Sequence, residues 1–391
     1  MNDASPLPRR VRLAGLGLVT PLASGAWPNF SALLAGRTLA DRLAKLEPDT
    51  EPMPRVLAIG GVANARFARE DPAIDLAETA AREACLEAGV EAKGLAVYLG
   101  TSKGAAAAHA AAADRLLGGP DAPPVRGPDA EAVAMGPHAL FARGLARRLG
   151  VAVADHRVAA CAASLVALDA AARGVASGRL DAALVVTAEA ALLPLFVHAH
   201  ARLGVLAPLD DYAGRPLSAA RRGFVLAESA AAVVLTADDR PGIELVATAV
   251  AADGFDLLRP APGMPALRRV AGEVIRTERV ACLHPHAPGT PTHDPMELAA
   301  LASAAADAPA VYAAKGAIGH GLGAAGLGSL VLAALCARAN RRPPMPWIEQ
   351  PLDTPLDLSP ETRDLPDGLH AVFAAGFGGH VAAASLRVGR D

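Results

Sequence analysis

The chain has 391 residues, 52% of them hydrophobic, 20% charged and 3% aromatic, with a net charge of −3. That length exceeds one small domain and suits two large or fused halves around a sizeable core. The balanced charge excludes a global field for nucleic acid, and the wide spacing of Cys85, Cys161, Cys282 and Cys336 makes neither a disulfide framework nor a zinc pattern, so no metal is expected. A reducing, cytoplasmic location follows from that cysteine usage. The first residues, 1–12, lack the apolar stretch of a signal peptide.

In chain order, residues 11–19 read as a buried strand and 27–34 as a short helix stopped by Gly36. Residues 40–70 are irregular. Residues 74–89 form an amphipathic helix closed by Gly89, with Cys85 on its core face. A strand follows at 95–100. Residues 103–138 are rich in Ala, Gly and Pro and read as a cap inserted above the core. Residues 151–158 alternate as a strand, and a helix runs from Cys161 to Leu180. Strands at 182–187 and 230–235 complete the first half.

The second half repeats the order. Strands are expected at 243–250, 280–283, 311–314, 371–374 and 381–388, and helices at 264–277 and 295–305. Residues 316–337 carry no charged side chain and are long enough to span a membrane, yet their glycines and His320 fit a buried core helix better. The stretches from Ser229 and from His380 are alike in pattern. This suggests two related α/β units that meet near residues 239–243.

Four strands then deliver chemistry to equivalent ends. Cys161 sits among small residues at a strand-to-helix elbow, where the helix dipole and free amides are expected to lower its pKa. His286 opens the run His286-Ala287-Pro288-Gly289-Thr290. Lys315 and His320 lie in a glycine-rich run after another strand, and Gly376-Phe377-Gly378-Gly379 follows a fourth. Taken singly, each feature has an ordinary explanation: a core cysteine, a hydrogen-bonded histidine, a glycine turn. Four at matching strand ends, where α/β proteins place ligand crevices, point to a reaction centre.

With Gly15-Leu-Gly-Leu-Val-Thr-Pro-Leu22, Gly178-Arg-Leu-Asp181, Thr187-Ala-Glu189 and Gly223-Phe-Val-Leu-Ala-Glu228 in this order, the chain resembles the β-ketoacyl–acyl carrier protein synthases of the Cys-His-His type, in the thiolase-like superfamily. The resemblance runs nearly end to end. It implies an α/β, thiolase-like fold of two related halves, 1–240 and 241–391, in a layered α-β-α-β-α core. It implies that Cys161 takes an acyl group as a thioester, and that His286 and His320 hold the malonyl thioester oxygen during decarboxylative condensation. The amides of Cys161 and Phe377 would form an oxyanion hole, and Phe377 would gate the acyl pocket. Lys315 would pair with Glu297 at the site floor. Asp294 would support the loop or cap the next helix, and Thr290, Gly378 and Gly379 would contact substrate. Glu189 and Glu228 read as buried structural carboxylates, and His284 and His293 as bystanders.

The resemblance also implies the phosphopantetheine arm of an acyl carrier protein as substrate handle and no other cofactor. It implies a homodimer joined by strand pairing, or a heterodimer with another ketosynthase-like subunit, and no nucleic-acid or membrane partner. Arg66, Arg69 and Arg202 are the candidate docking cations. Several positions depart from the family pattern. Pro288 stands where a threonine serves the pantetheine arm, His380 replaces a threonine, and Ala227 and Ser229 replace glycines. These departures suit a specialised polyketide or aryl-polyene-type pathway as well as fatty acid synthesis. The alternative is a silent, chain-length-factor-like partner. A thiolase would need a second cysteine near Gly379, and a Cys-His-Asn synthase an asparagine at His320.

Overall fold

A computed structural model describes residues 9–38, 43–44, 56–57, 71–116, 127–208, 214–238, 240–305 and 307–389. The first half runs β1 (Val11–Val19), α1 (Ala26–Leu34), β2 (Leu43–Ala44), β3 (Val56–Leu57), α2 (Pro72–Ala88), β4 (Ala96–Gly100), α3 (Ala106–Leu116) and α4 (Pro128–Leu149). It continues with β5 (Val153–Arg157), α5 (Ala163–Ala176), β6 (Ala182–Glu189), α6 (Pro194–Arg202), β7 (Leu226–Ala227) and β8 (Ser229–Thr236). The second half runs β9 (Gly242–Ala252), α7 (Pro265–Ile275), β10 (Val280–His284), α8 (His293–Ala302), β11 (Ala310–Val311), α9 (Lys315–Ile318) and α10 (Ala325–Ala339). It closes with β12 (Arg341–Arg342), β13 (Arg363–Asp364), β14 (Leu369–Gly376) and β15 (His380–Gly389).

Ten strands form one sheet in the order β11-β10-β14-β15-β9-β1-β8-β6-β4-β5. Each run of five has the same internal plan. In both, the outer strands are parallel, β4 with β5 and β6, and β10 with β11 and β14. In both, the inner strands are antiparallel, β6-β8-β1 and β14-β15-β9. Among the described residues the two runs pair through Val11–Leu13 of β1 against Ile243–Leu245 of β9. Helices α5 and α10 occupy the middle, tied where Leu327 donates its amide to Ser164 Oγ at 3.0 Å. Helices α2 and α7 cover the outer faces, giving the α-β-α-β-α layering.

Local chemistry explains the elements that matter most. Asp71 caps α2 by accepting from the Ala73 amide at 2.9 Å, Pro72 opens it, and Gly89 closes it in the left-handed conformation. Its alanine face lies directly on β1. A Cβ on Gly15 or Gly17 would run into the carbonyls of Ala84 and Ala80, so both small-residue patterns serve one close contact. Helix α10 is buried along most of its length, with Leu330–Cys336 sealed in the core. Residues Leu322–Ala339 have the length and apolarity to cross a membrane but are mostly covered by the protein itself, as a core helix is.

Several expectations need correction. The helix after Cys161 begins at Ala163 and stops at Ala176, because Gly178 turns at positive φ before the expected end at Leu180. The strand expected at 311–314 is only Ala310–Val311, because the chain turns at once into α9. The apolar run at 316–337 is broken at Gly319, and His320 stands in the gap between α9 and α10. The cap is helical. It is formed by α3 and a long α4 kinked at Gly136–Pro137, whose Phe141, Leu145 and Leu149 join the core beyond the expected limit of 138. Helix α6 has no counterpart in the sequence reading. Most of the irregular stretch at 40–70 lies outside the described residues, as do Arg66 and Arg69.

Candidate active site

Cys161 stands on a strained elbow between β5 and α5. Ala160 holds φ at 46°, and the amides of Ala162 and Ala163 return to the carbonyls of Ala159 and Ala160 at 3.0 and 3.2 Å. Gly376, at the end of β14, lies against this elbow. A Cβ there would sit 2.9 Å from both the Cys161 amide nitrogen and the Ala159 carbonyl oxygen, so only glycine allows the approach. The next residues, Phe377, Gly378 and Gly379, form the turn into β15. The Gly378 amide donates to Leu257 O at 2.8 Å, and the Asp253 amide to Gly379 O at 3.1 Å, pinning the turn to the loop after β9.

His320 is fixed as completely as a side chain can be. Its amide donates to Val225 O at 2.8 Å, and its carbonyl accepts from Ala227 N at 3.1 Å. Its Nδ1 accepts the Leu322 amide at 3.0 Å. An Nδ1 that accepts carries no proton, so the neutral ring holds its proton on Nε2. The Phe224 ring lies 4.7 Å away, centroid to centroid.

His286 follows β10. Glu297, fully buried on α8, accepts the amides of His286 and Ala287 at 2.7 Å each. Lys315 Nζ donates to the His286 carbonyl. The expected Lys315–Glu297 ion pair is therefore indirect: the two grip the same backbone rather than each other. Asp294 accepts from Gly289 N at 3.0 Å and Leu217 N at 2.9 Å. It lies within α8 rather than at its cap, so it supports the loop and does not cap the helix. Ala287 takes φ 33°, a strain that those carboxylates and Lys315 over-determine.

These elements meet around one cavity of about 500 Å³, lined by Cys161, His286, Pro288, Thr290, His320 and Phe377. Gly378, Gly379 and His380 also reach it. The two imidazoles lie 5.3 Å apart, edge to face. Burial, then the Lys315 charge, holds both rings well below the usual imidazole pKa, so both are neutral at pH 7. The same burial lowers the Lys315 ammonium to about 8, against the pull of Glu297. Burial also pushes the Cys161 thiol up to about 12, with Lys315 opposing. This corrects the depression expected at the helix end: desolvation by burial is the largest influence on the thiol. Glu189 ends β6 and accepts the Ser102 amide. Burial raises its carboxyl to about 8, and its Oε2 has no partner.

His293 is a functional candidate that the sequence reading set aside. It lines the cavity, meets the His286 ring at 5.2 Å, and lies 3.4 Å from Glu297 Oε2. Its position four residues before Glu297 on α8 was the available signal. Thr290 Oγ1 accepts from His293 N at 3.3 Å and keeps its own hydroxyl hydrogen to give. Arg202 is exposed at the end of α6, next to the cavity-lining Leu203 and Gly204. The other cysteines are buried away from the cavity.

Comparison with known proteins agrees with this geometry. The family model described as "Beta-ketoacyl synthase, N-terminal domain" matches residues 9–240, and its C-terminal counterpart matches residues 243–348. The chain is 29% identical to a 3-oxoacyl-[acyl-carrier-protein] synthase 2 of Coxiella burnetii, over 95% of this chain and 96% of that protein. It is 30% identical to a protein of the same name from Mycobacterium tuberculosis, over 57% of this chain and 58% of that one. A β-ketoacyl synthase structure from Burkholderia phymatum superposes with a TM-score of 0.84 at 22% identity, covering 98% of this chain and all (100%) of that one. The ishigamide ketosynthase/chain length factor superposes at 0.83 and 22% identity, with the same coverage.

Proposed function

The chain belongs to the β-ketoacyl synthase family, and from that premise we propose that it condenses a Cys161-bound acyl group with a malonyl unit carried on acyl carrier protein. The observation that carries this reading is the shared cavity. One thiol, two neutral imidazoles and a glycine hairpin face the same small space.

In the first half-reaction the Cys161 sulfur attacks the carrier thioester. The acyl–sulfur bond to the arm breaks, a new one forms to Cys161, and the proton lost from Cys161 ends on the departing arm thiol. The amides of Cys161 and Phe377 take the oxyanion, with Gly376 setting their approach. Burial opposes loss of the Cys161 proton, and the Lys315 charge favours it. In the second half-reaction the malonyl carbon–carbon bond breaks and carbon dioxide leaves. His320 Nε2–H and His286 donate to the thioester oxygen as it gains enolate character. Donors of this kind typically contribute ~10²–10³ in rate. The enolate carbon attacks the Cys161 thioester, and the thiolate leaves and is reprotonated.

Lys315, Glu297 and Asp294 position His286. Thr290 offers one hydroxyl donor to the pantetheine arm where Pro288 offers none, so arm binding leans on fewer groups. No cofactor beyond that arm is required. Arg202 is part of a carrier-docking rim. The open edge of β5 is the surface through which two copies pair, in a homodimer or with a related subunit. A cytoplasmic location belongs to the same reading. Pathway class, fatty acid or polyketide, is left to substrate choice. Mass spectrometry after incubation with a panel of acyl-carriers tests the reading. An acyl adduct on the Cys161 peptide supports it, and no adduct at any chain length would favour the silent partner.

A further inference from the structure

Away from the cavity, three side chains converge that the sequence spacing had set apart. Cys282 and His284 alternate onto one face of β10, and His370 on β14 is the register partner of Cys282. All three are buried, and their Sγ and ring nitrogens lie within 4.8 Å of one another. His284 Nε2 and His370 Nδ1 are 3.3 Å apart. Two imidazoles bound to one small cation at bonds of about 2.0–2.1 Å sit about 3.3–3.6 Å apart. Cysteine spacing gives no sign of this cluster, because His370 lies 86 positions from His284.

Two buried donors beside the cluster lack partners. The Arg342 guanidinium is fully buried, and its NH groups reach the carbonyls of Pro343, Ser359 and Glu361. Its Nε has no partner, and neither does the buried Tyr312 hydroxyl, whose ring meets His284 edge-on at 6.1 Å. Both groups lie within electrostatic reach of Cys282. Asp357 is the carboxylate that acts on both Arg342 and Cys282, and it makes no ion pair with Arg342. Unmet buried donors are costly unless an acceptor faces them. A neutral thiol is a weak acceptor. A metal-bound thiolate is a strong one, and donors of this kind commonly surround such a sulfur.

We propose that Cys282, His284 and His370 form a three-coordinate structural site for a soft monovalent cation, Cu(I), which ties β10 to β14. On binding, the Cys282 S–H gives its proton to solvent as the sulfur–copper bond forms. The ring proton between the two histidines moves to the far nitrogen of its own ring, and no electron is transferred. Copper and thiolate together are neutral. Zinc would add a positive charge beside Arg342. A second cavity of about 560 Å³, walled by Asn340, Asp367 and His370, offers an entry path to the His370 ring. It lies at the opposite end of β14 from the hairpin at Gly376.

The test is anaerobic titration of the full chain with Cu(I), and separately Zn(II), against a chromophoric chelator, with X-ray absorption on the loaded protein. One retained equivalent of Cu(I), with a shell of one sulfur and two nitrogens and a raised melting temperature, is expected. His370→Gln and Cys282→Ala should each weaken retention at least tenfold. The wild-type absorption spectrum reports the shell even if a variant misfolds. No retained copper, a shell without sulfur, or retention of zinc alone would overturn the proposal.

Discussion

Lys315 and Glu297 hold opposite ends of one peptide: the ammonium donates to the His286 carbonyl while the carboxylate accepts the Ala287 amide of the same peptide unit. The carboxylate's other oxygen takes the His286 amide. A buried positive and a buried negative group thus polarise one link and fix the direction in which His286 leaves the backbone. In a fully buried setting this arrangement satisfies both charges without direct contact.

Removing one end should loosen the ring rather than remove a reacting group. Lys315→Met leaves Glu297 without its balancing charge and the His286 carbonyl without its donor. Loss of about 1–3 kcal/mol of stability is expected. Acylation of Cys161 should slow, since Lys315 favours the thiolate, but condensation should fall further, at least tenfold. Separate measurement of the two half-reactions checks this, and equal losses in both would contradict it.

The tautomer of His320 makes a sharper prediction. Its Nε2–H is the donor because Nδ1 is occupied by the Leu322 amide. His320→Ala should lower condensation by ~10²–10³ while leaving acyl transfer to Cys161 measurable. Loss of acyl transfer to the same degree would show that His320 serves the thiol instead.

The elbow contact at Gly376 is steric. Gly376→Ala places a methyl against the Cys161 amide and the Ala159 carbonyl. The variant should fold with a modest fall in melting temperature and lose most acylation. Unchanged acylation rates would exclude the hairpin from the oxyanion site.

Burial and the helix dipole make opposite predictions for the free thiol. With the thiol pushed up to about 12, alkylation of Cys161 should keep rising with pH and show no plateau below pH 9. Peptide mapping after timed alkylation across pH 6–10 reads this directly. A plateau below pH 8 would mean that the dipole and Lys315 prevail.

Glu189 sets a pH dependence of stability. Its folded pKa, about 8, lies above its ordinary value of 4.5, so the folded state holds the proton more tightly. That contribution is present in full below about pH 4.5 and is lost as pH rises through 8. Asp71 and Asp294, both raised to about 6, act in the same direction at lower pH. Glu189→Gln should therefore flatten the fall in melting temperature between pH 6 and 8. Identical slopes for variant and wild type would contradict the assignment.

Much of this was legible in the sequence because the reacting groups stand at strand ends, and buried strands announce themselves as apolar runs. The strands carrying Cys161, His286 and the Gly376 hairpin were placed to within a few residues. The paired endings at Ser229 and His380 do fall on equivalent strands, β8 and β15. What stayed hidden depends on three-dimensional surroundings. The rise in the Cys161 pKa comes from desolvation, which no local pattern records. The indirect Lys315–Glu297 link runs through a backbone peptide that any residue could supply. The strain at Ala160 and Ala287 is invisible because alanine gives no sign of positive φ. His293 was passed over because a histidine beside a motif is more often inert, although its spacing to Glu297 was in plain view.

The most direct measurement is product formation from an acyl primer and malonyl-carrier, with wild type and Cys161→Ala compared under the same conditions. The account predicts a carrier-bound β-ketoacyl product, two carbons longer than the primer, from wild type and none from the variant. A wild-type protein that takes up no acyl group and yields no such product would contradict it.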